Sequence, residues 1–217
     1  ASDHGQVRKA VTLLRQITAG ESFDLPRNAV VIGGGNVAMD IARSVARLQK
    51  QHYGEVRVTV TALEERAHFL ADAAEVREAL EEGIAIHDAR GPREVVLDAN
   101  GGLAGLNTWR VQSIFDERGR FAPTYDETDE RTFEADMVIE AIGQMADTDL
   151  LGEELTERLE WVRGRLKVDE IGRTSEAWLW AAGDMVNGPD VVHAVRDGHR
   201  VAAGIDEYLT ATEAARA

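Results

Sequence analysis

The sequence predicts an α/β fold, in which a parallel β-sheet carries an inserted antiparallel β meander. Short β-branched runs alternate with stretches whose apolar residues recur every three or four positions, which is the pattern of strands alternating with helices. Two of the apolar runs stop at a glycine, as buried parallel strands do. Between these two runs, Asn100-Gly101-Gly102 is a strong hairpin signal, and it predicts the meander.

The first half of the chain alternates helices and strands. The predicted elements are a helix over 7–19, a strand over 30–32, a helix from 37 to about 54, a strand over 56–61 and a helix over 72–83. Gly20 ends the first helix, and Asp72-x-x-Glu75 is the pattern of a capping box that opens the third. This order predicts a Rossmann-like sheet.

The second half adds the meander and then changes character. The predicted elements are short strands over 84–87 and 94–97, a returning strand over 106–115, a buried strand over 137–143, a helix over 151–159, strands over 165–168 and 178–182, the latter running into a corner at Gly183-Asp184, and a long helix from 190. The segment up to Phe133 carries too many charges for a buried strand. We therefore expect two regions, 1–145 and 146–217.

A dinucleotide fingerprint lies at the junction of the 30–32 strand and its helix. In Gly33-x-Gly35-x-x-Ala38, the first glycine allows the turn, the second lets the backbone approach a pyrophosphate, and the small residue allows close helix packing. Glycines also end strands for purely local reasons, but here both flanks fit the fingerprint. The predicted nucleotide-binding residues of this turn are Gly33, Gly34, Gly35, Asn36, Val37 and Ala38.

Composition excludes several classes of function. A net charge of −15 argues against nucleic acid or an anionic membrane surface as the partner. The sequence contains no cysteine, so structural disulfides, a C-x-x-C pair and thiolate ligands for an iron–sulfur cluster are all excluded within it. No stretch approaches the roughly 18 apolar residues of a membrane span. We expect a cytoplasmic protein without a resident metal, whose redox chemistry comes from an organic cofactor.

Three stretches together resemble one known family. They are V-V-I-G-G-G-N-V-A-M-D (30–40), A-D-M-V-I-E-A-I-G-Q (135–144) and A-A-G-D-M-V-N-G-P-D-V-V-H-A-V-R-D-G-H-R-V-A-A (181–203). With them, nearly the whole chain resembles the flavin-dependent pyridine-nucleotide oxidoreductases, and specifically the group of the glutamate synthase small subunit. The resemblance implies an NAD(P)-binding domain inserted between the two halves of an FAD-binding domain.

The resemblance also implies site residues beyond the glycine turn. Cofactor contacts are expected from Ile142, Gly143 and Gln144 at the end of the last strand of the sheet. In the C-terminal region, Gly183 and Asp184 match the corner whose carboxylate binds the ribityl chain of FAD, and the alternative for Asp184 is a capping or turn carboxylate. The backbone of Asp190, Val191 and Val192 would face the pyrimidine edge of the flavin.

One departure from the family concerns nucleotide preference. Members that use NADPH commonly carry two arginines after the second strand, where this sequence has Glu64, Glu65 and Arg66. A carboxylate there accepts hydrogen bonds from a free ribose 2′-OH and repels a 2′-phosphate, so NADH is favoured, with Glu64 as the candidate. Arg66 leaves NADPH open, and Glu64 could also simply begin a solvated turn.

A second departure concerns FAD. The family begins with a separate FAD fingerprint, whereas this sequence contains one fingerprint only, at Gly33. The residues from 146 onward then correspond to the second FAD half without its mate. Either the sequence is a fragment of a longer polypeptide or the other half comes from elsewhere. We expect this chain alone to hold FAD poorly.

Two functions follow as expectations. In the first, the intact enzyme passes hydride from NAD(P)H to FAD and sends electrons on to an iron–sulfur domain or subunit. No side chain is expected to be catalytic, because the cofactors carry the chemistry. In the second, the chain is a nucleotide-binding or assembly module without turnover of its own. The lack of cysteine argues against the disulfide-reductase branch of the family.

Overall fold

The computed structural model describes residues 4–144, 146–188 and 190–214, with Glu213 described by its backbone only. The chain forms two compact units, Ala1–Gly143 and Gln144–Ala217. The expected boundary at Met145 lies outside the described residues. No helix in the described ranges is both long enough and apolar enough to cross a membrane.

The first unit contains eight strands and three α-helices over the residues that the structure describes. In chain order they are β1 (Val7–Lys9), α1 (Ala10–Ala19), β2 (Ala29–Ile32), α2 (Asn36–Tyr53), β3 (Val58–Thr61), α3 (Ala73–Glu81), β4 (Ala85–His87), β5 (Arg90–Leu97), β6 (Leu103–Phe115), β7 (Phe121–Glu134) and β8 (Met137–Glu140). A short 3₁₀ helix, Arg66–His68, precedes α3.

A five-stranded parallel sheet forms the centre of this unit. Its strand order is β1-β8-β2-β3-β4, and Val31 of β2 lies opposite Val60 of β3 and Ile139 of β8. The strands β5, β6 and β7 form a separate antiparallel sheet in the segment between β4 and β8. The predicted parallel sheet with an inserted antiparallel meander is confirmed.

Alternate side chains of the parallel strands enter two different cores. Val31, Val60 and Ile139 pack with residues of the three helices, including Leu13 and Ile41. On the other face, side chains of β2 and β8 pack with those of the meander; this cluster contains Val30, Ile32, Val138, Leu103, Leu106 and Phe133. Strands that are buried on both faces need continuous apolar sequence, which explains the run A-V-V-I of β2.

One sequence prediction for this unit is wrong, and another is right but incomplete. Residues 7–9 are not helical, because they form the edge strand β1, which pairs in parallel with β8 (Val7 opposite Val138), and the helix begins at Ala10. The charged segment up to Phe133 is not a buried strand, as expected, but it is nevertheless the 14-residue strand β7 with most side chains exposed. Antiparallel pairing along β6 supplies its backbone hydrogen bonds.

The second unit has shorter elements. They are a 3₁₀ turn (Asp149–Leu151), α4 (Gly152–Arg158), β9 (Trp161–Val162), β10 (Arg165–Leu166), a 3₁₀ turn (Gly183–Met185) and α5 (Val191–Ala214). The predicted strand over 178–182 is wrong, because only one bridge, between Arg173 and Trp180, is formed among the described residues there. Residues 172–174 lie beside this segment, where the N–H of Thr174 donates to the Leu179 carbonyl and the N–H of Ala181 donates to the Gly172 carbonyl, but this pairing is too short to form a strand.

Candidate functional site

The glycine turn connects β2 to α2 at the carboxyl end of the sheet. Gly33 has a φ of +141°, a conformation that L side chains rarely adopt, and its N–H donates to the Thr61 carbonyl at 2.8 Å. A Cβ built on Gly33 would overlap the carbonyl oxygen of Ala141 and lie 3.0 Å from its carbonyl carbon. Only glycine therefore fits where the turn passes the end of β8.

This turn lies at the topological switch point of the sheet. From β2 the chain continues through β3 to β4 on one side, whereas β8 and β1 lie on the other side. Parallel α/β sheets bind ligands at such points, outside the carboxyl ends of the strands. Ile142 and Gly143 follow β8 at this edge, and Ile142 is 69% exposed. Gln144 is exposed and is the first residue of the second unit.

The first turn of α2 presents unpaired N–H groups. Gly35 is the N-cap residue, and its carbonyl accepts from the N–H of Ala38 at 3.0 Å. Within the described ranges, the backbone N–H groups of Gly35, Asn36 and Val37 have no protein acceptor. A Cβ built on Gly35 would meet no atom within 4 Å, so the space above these donors is open. Free donors at the positive end of a helix dipole suit an anion.

Glu64 lies directly against this turn. A Cβ built on Gly34 would be 3.1 Å from Oε2 of Glu64, so the carboxylate is next to the turn backbone. The residue follows β3, the strand beside β2, and is partly buried. The sequence predicted an acidic residue just after this strand, and the structure shows that its carboxylate lies close to the glycines of the turn.

Arg66 is engaged elsewhere. Its backbone N–H donates to Oδ2 of Asp88 at 3.0 Å, and its Nη2 donates to the Ile86 carbonyl at 2.8 Å. The hydrogen bond from this N–H holds the pKa of Asp88 below its usual range. The guanidinium is thus tied to the end of β4, while Glu65, at the N-cap of the 3₁₀ helix, is exposed.

A loop that the sequence did not single out is fixed to the turn. The N–H of Ala71 donates to the Gly34 carbonyl at 3.0 Å, and the N–H of Asp72 donates to Oδ1 of Asn36 at 2.8 Å. Asn36 therefore contributes its side chain to the architecture of the turn. These contacts join residues more than 30 positions apart, and no local pattern predicts them.

An ion-pair cluster holds α2 against α3. The guanidinium of Arg43 lies 2.5 Å from Glu75, 2.6 Å from Glu78 and 2.9 Å from Glu82, and its side chain is only 13% exposed. Glu75 was expected to complete a capping box with Asp72. Instead, Asp72 accepts from the N–H of Ala74 and Glu75 bonds Arg43.

In the second unit, Gly183 and Asp184 form the expected corner. Gly183 is buried with a φ of +63° at the start of the 3₁₀ turn Gly183–Met185, and its carbonyl accepts from the N–H groups of Val186 and Asn187. The Asp184 side chain is exposed and accepts no hydrogen bond from any residue that the structure describes. The alternative capping role for this carboxylate is therefore not observed.

Asp190 caps α5 instead. Its Oδ1 accepts from the N–H of His193 at 2.7 Å, and its Oδ2 lies 2.5 Å from Nδ1 of the same histidine. These contacts, the backbone one foremost, hold the pKa of Asp190 below its usual range. Val191 and Val192 begin the helix with side chains 78% and 77% exposed.

Comparison with curated proteins shows the relationship directly. The chain is 36% identical to the NADP(+)-dependent formate dehydrogenase subunit beta of Moorella thermoacetica over 95% of this chain and 28% of that protein. It is 32% identical to the NAD-dependent dihydropyrimidine dehydrogenase subunit PreT of Escherichia coli K12 (95% and 43%). It is 33% identical to the glutamate synthase [NADPH] small chain of Azospirillum brasilense (85% and 38%). The chain thus spans less than half of each of these relatives.

Solved structures show the same fold. Thioredoxin reductase of T. acidophilum superposes with a TM-score of 0.65 over 92% of this chain and 57% of that one, at 21% sequence identity. The predicted resemblance to the glutamate synthase small subunit group is confirmed by the curated relatives. Residues 4–198 match one family along their whole length, and the chain belongs to the pyridine nucleotide-disulphide oxidoreductase family.

Proposed function

We propose that the first unit binds NADH over the glycine turn as the nucleotide-binding part of an FAD-dependent oxidoreductase. The observation that carries the proposal is the open space above Gly35, where the free N–H groups of α2 point at the switch point of the sheet. A pyrophosphate fits this place because it needs donors, positive potential and a backbone without a Cβ.

Each residue of the turn then has a distinct task. The N–H groups of Gly35, Asn36 and Val37 would hold the pyrophosphate, and the fixed turn of Gly33 would orient it. The carboxylate of Glu64 would accept hydrogen bonds from the ribose hydroxyls. Ile142 and Gly143, at the end of the neighbouring strand β8, are candidates for contacts farther along the dinucleotide.

The preference for NADH rests on charge. The names of the relatives include both NAD and NADP(H), so sequence similarity does not distinguish between the two nucleotides. Glu64 beside the turn disfavours a 2′-phosphate, and Nη2 of Arg66 already donates to the Ile86 carbonyl. Both observations favour NADH.

We also propose that the second unit contributes some of the residues that bind FAD in the intact protein. Asp184, with its free carboxylate, would bind the ribityl chain, and the backbone of Asp190, Val191 and Val192 would face the flavin. When bound, the two cofactors supply hydride donation and acceptance, with an iron–sulfur domain or subunit as the electron acceptor. Several relatives are named as subunits, which supports a partner.

Calorimetric titration of the chain with NADH and NADPH tests this proposal. We expect micromolar binding of NADH that is lost in Gly35→Val, because the new side chain fills the space of the pyrophosphate. We expect Glu64→Gln to lower the affinity for NADH by about tenfold, since a charge-assisted hydrogen bond contributes about 1.5–3 kcal/mol. The same variant should discriminate less against NADPH. Glu65→Gln, one position along and exposed, is the matched control and should bind like the parent chain.

The contrary outcomes are equally definite. Binding of neither nucleotide would contradict the nucleotide-binding role for this chain. Equal effects of Glu64→Gln and Glu65→Gln would show that local net charge, rather than the position of Glu64, sets the preference. A parallel absorbance scan should detect no retained flavin, because only part of the FAD site is proposed to lie in this chain.

A further inference from the structure

The end of one loop is bonded to the glycine turn at two adjacent residues. This loop, residues 64–72, lies between β3 and α3. The N–H of Ala71 donates to the Gly34 carbonyl at 3.0 Å, and the N–H of Asp72 donates to Oδ1 of Asn36 at 2.8 Å. Because the donor is a backbone N–H, the carboxamide of Asn36 must present its oxygen there. The side chain of Asn36 therefore acts as an acceptor for the loop.

The Asn36 bond replaces a contact that α3 lacks at its own N-terminus. Asp72 is the N-cap residue of α3, and in a capping box the side chain at the third helical position accepts from the N–H of the N-cap residue. That position is Glu75, which bonds Arg43 of α2 instead. The carboxamide of Asn36 supplies the missing acceptor from the first residue of α2. Asn36 thus connects the starts of the two helices.

The same loop surrounds the carboxylate of Glu64. A Cβ built on Gly34 would lie 3.1 Å from Oε2 of Glu64 and 3.4 Å from Cδ1 of Phe69, so both side chains lie against the same point of the turn. Among the residues that the structure describes, the Glu64 carboxylate has no hydrogen-bond partner. Its position is therefore set by the packing of the loop and not by a bond of its own.

Phe69 links the end of the loop to this carboxylate. Its ring packs against the hydrophobic cluster between the parallel sheet and the helices, and the residue lies two positions before Ala71. The start of the loop is fixed separately, since the N–H of Ala89 donates to the Glu64 carbonyl at 2.9 Å. Without the Asn36 bond, the end of the loop would be held by the Ala71 bond alone. The ring that limits the movement of the carboxylate would then be held less firmly.

We propose that Asn36 is a positioning residue for nucleotide preference. Its carboxamide holds the end of the loop 64–72 on the turn and so keeps the carboxylate of Glu64 facing the ribose of NADH. This inference rests on the proposed function, because that function gives Glu64 its contact with the ribose. An aspartate at position 36 would accept the same hydrogen bond, but it would put a negative charge beside the N–H groups proposed to hold the pyrophosphate. A neutral acceptor avoids this repulsion.

Titration of Asn36 variants with NADH and NADPH tests the proposal. The informative quantity is the preference ratio, which is the Kd for NADPH divided by the Kd for NADH. We expect Asn36→Ala to lower this ratio by about threefold or more, because the carboxylate of Glu64 loses its fixed position. The double variant Asn36→Ala/Glu64→Gln should have the ratio of Glu64→Gln alone, since no carboxylate is left to position.

Asn36→Asp separates positioning from electrostatics. The aspartate keeps the acceptor, so the preference ratio should equal that of the parent chain. The affinities for both nucleotides should fall by a similar factor, because the added charge repels the pyrophosphate that they share. Amide exchange without nucleotide measures the bond itself. The N–H of Asp72 should exchange about tenfold faster in Asn36→Ala and keep its protection in Asn36→Asp.

Glu75→Gln is the matched control. It removes one ion pair between α2 and α3 and leaves the bond between Asn36 and Asp72 in place. Its preference ratio should stay within about twofold of that of the parent chain. An equal fall of the ratio in Glu75→Gln and Asn36→Ala would overturn the proposal, because any loosening of α3 would then have the same effect.

The outcomes also distinguish this inference from the proposed function. NADH binding by the parent chain together with an unchanged ratio in Asn36→Ala would overturn the role of Asn36 alone. A lowered ratio in Asn36→Asp would overturn it as well, because the acceptor would then be present without its effect. A parent chain that binds neither nucleotide would contradict the proposed function, and this inference with it.

Discussion

At the scale of single residues, neighbouring glycines in the same turn serve different purposes. Gly33 is required by the protein itself, since its positive φ and the carbonyl of Ala141 leave no room for a side chain. Gly35 has an ordinary extended conformation with a φ of −98° and open space around it. Nothing among the described residues requires a glycine there, which is what the proposed nucleotide site needs.

This difference predicts opposite outcomes for two alanine variants. Gly33→Ala should destabilise the chain by about 2 kcal/mol or more, because the Cβ meets backbone and the conformation is strained. Gly35→Ala should lower the free energy of unfolding by no more than about 1 kcal/mol, because alanine is a poorer N-cap residue. Its main effect should be a lower affinity for NADH. Urea unfolding beside NADH titration measures both properties, and a stable Gly33→Ala chain would contradict the assigned role of Gly33.

The local sequence pattern predicts candidate site residues whose position is set by the strand that they follow. The spacing Gly33-x-Gly35 and the acidic residue at 64 are visible in the sequence because each follows directly from a strand end. The pattern could not predict that the side chain of Asn36 bonds Asp72 or that Glu75 bonds Arg43. Those partners are fixed by the packing of α2 against the following loop and α3, which a local pattern does not contain.

At the scale of elements, ion pairs hold together α2 and α3, the two helices beside the candidate site. Burial alone would raise the pKa of Glu82, but hydrogen bonds from Arg47 and Arg43 outweigh burial and hold the pKa below its ordinary value. The hydrogen bond to Glu82 is likewise the main cause that raises the pKa of Arg43. Both groups are therefore charged at neutral pH and couple α2 to α3.

A pH-dependent stability follows from Glu82. Because its pKa in the folded state is depressed, its contribution is complete above the ordinary glutamate value of 4.5 and is lost as the pH falls below it. We expect Glu82→Gln to cost about 1–2 kcal/mol near pH 7 and progressively less below about pH 4.5. Glu81→Gln, at the neighbouring and exposed last residue of α3, is the control and should behave like the parent chain at every pH. A Glu82→Gln deficit that does not shrink as the pH falls below 4.5 would contradict this coupling.

Strand predictions failed where a strand depends on its neighbour. The buried strands β2 and β8 were predicted at the right places, because burial on both faces requires a continuous apolar run, although β8 ends at Glu140 and not at the predicted residue 143. The edge strand β1 was predicted as part of the helix that follows it, because a strand of three residues is too short to show a recognisable alternation. Conversely, residues 178–182 have the composition of a strand, but the described part of the second unit offers only the single bridge at Trp180.

At the scale of the whole molecule, apolar burial is distributed unevenly. Both hydrophobic clusters consist of residues of the first unit. Among the described residues of the second unit, the buried apolar side chains are Leu159 and Leu166. Many others in that unit remain exposed, including Trp178 at 61% and Leu150 at 87%. With little apolar surface buried to oppose chain entropy, this unit should open easily on its own.

Amide hydrogen exchange tests this imbalance directly. We expect the amides of β2, β3 and β8 to be protected on the order of a hundredfold more than those of β9, β10 and α5, because local opening requires less free energy where fewer contacts are broken. NADH should slow exchange at the first turn of α2 and leave the second unit unchanged. Comparable protection in the two units would show that residues 144–217 have a stability that their buried contacts do not explain. Slower exchange in the second unit on addition of FAD alone would contradict the expectation that this chain holds FAD poorly.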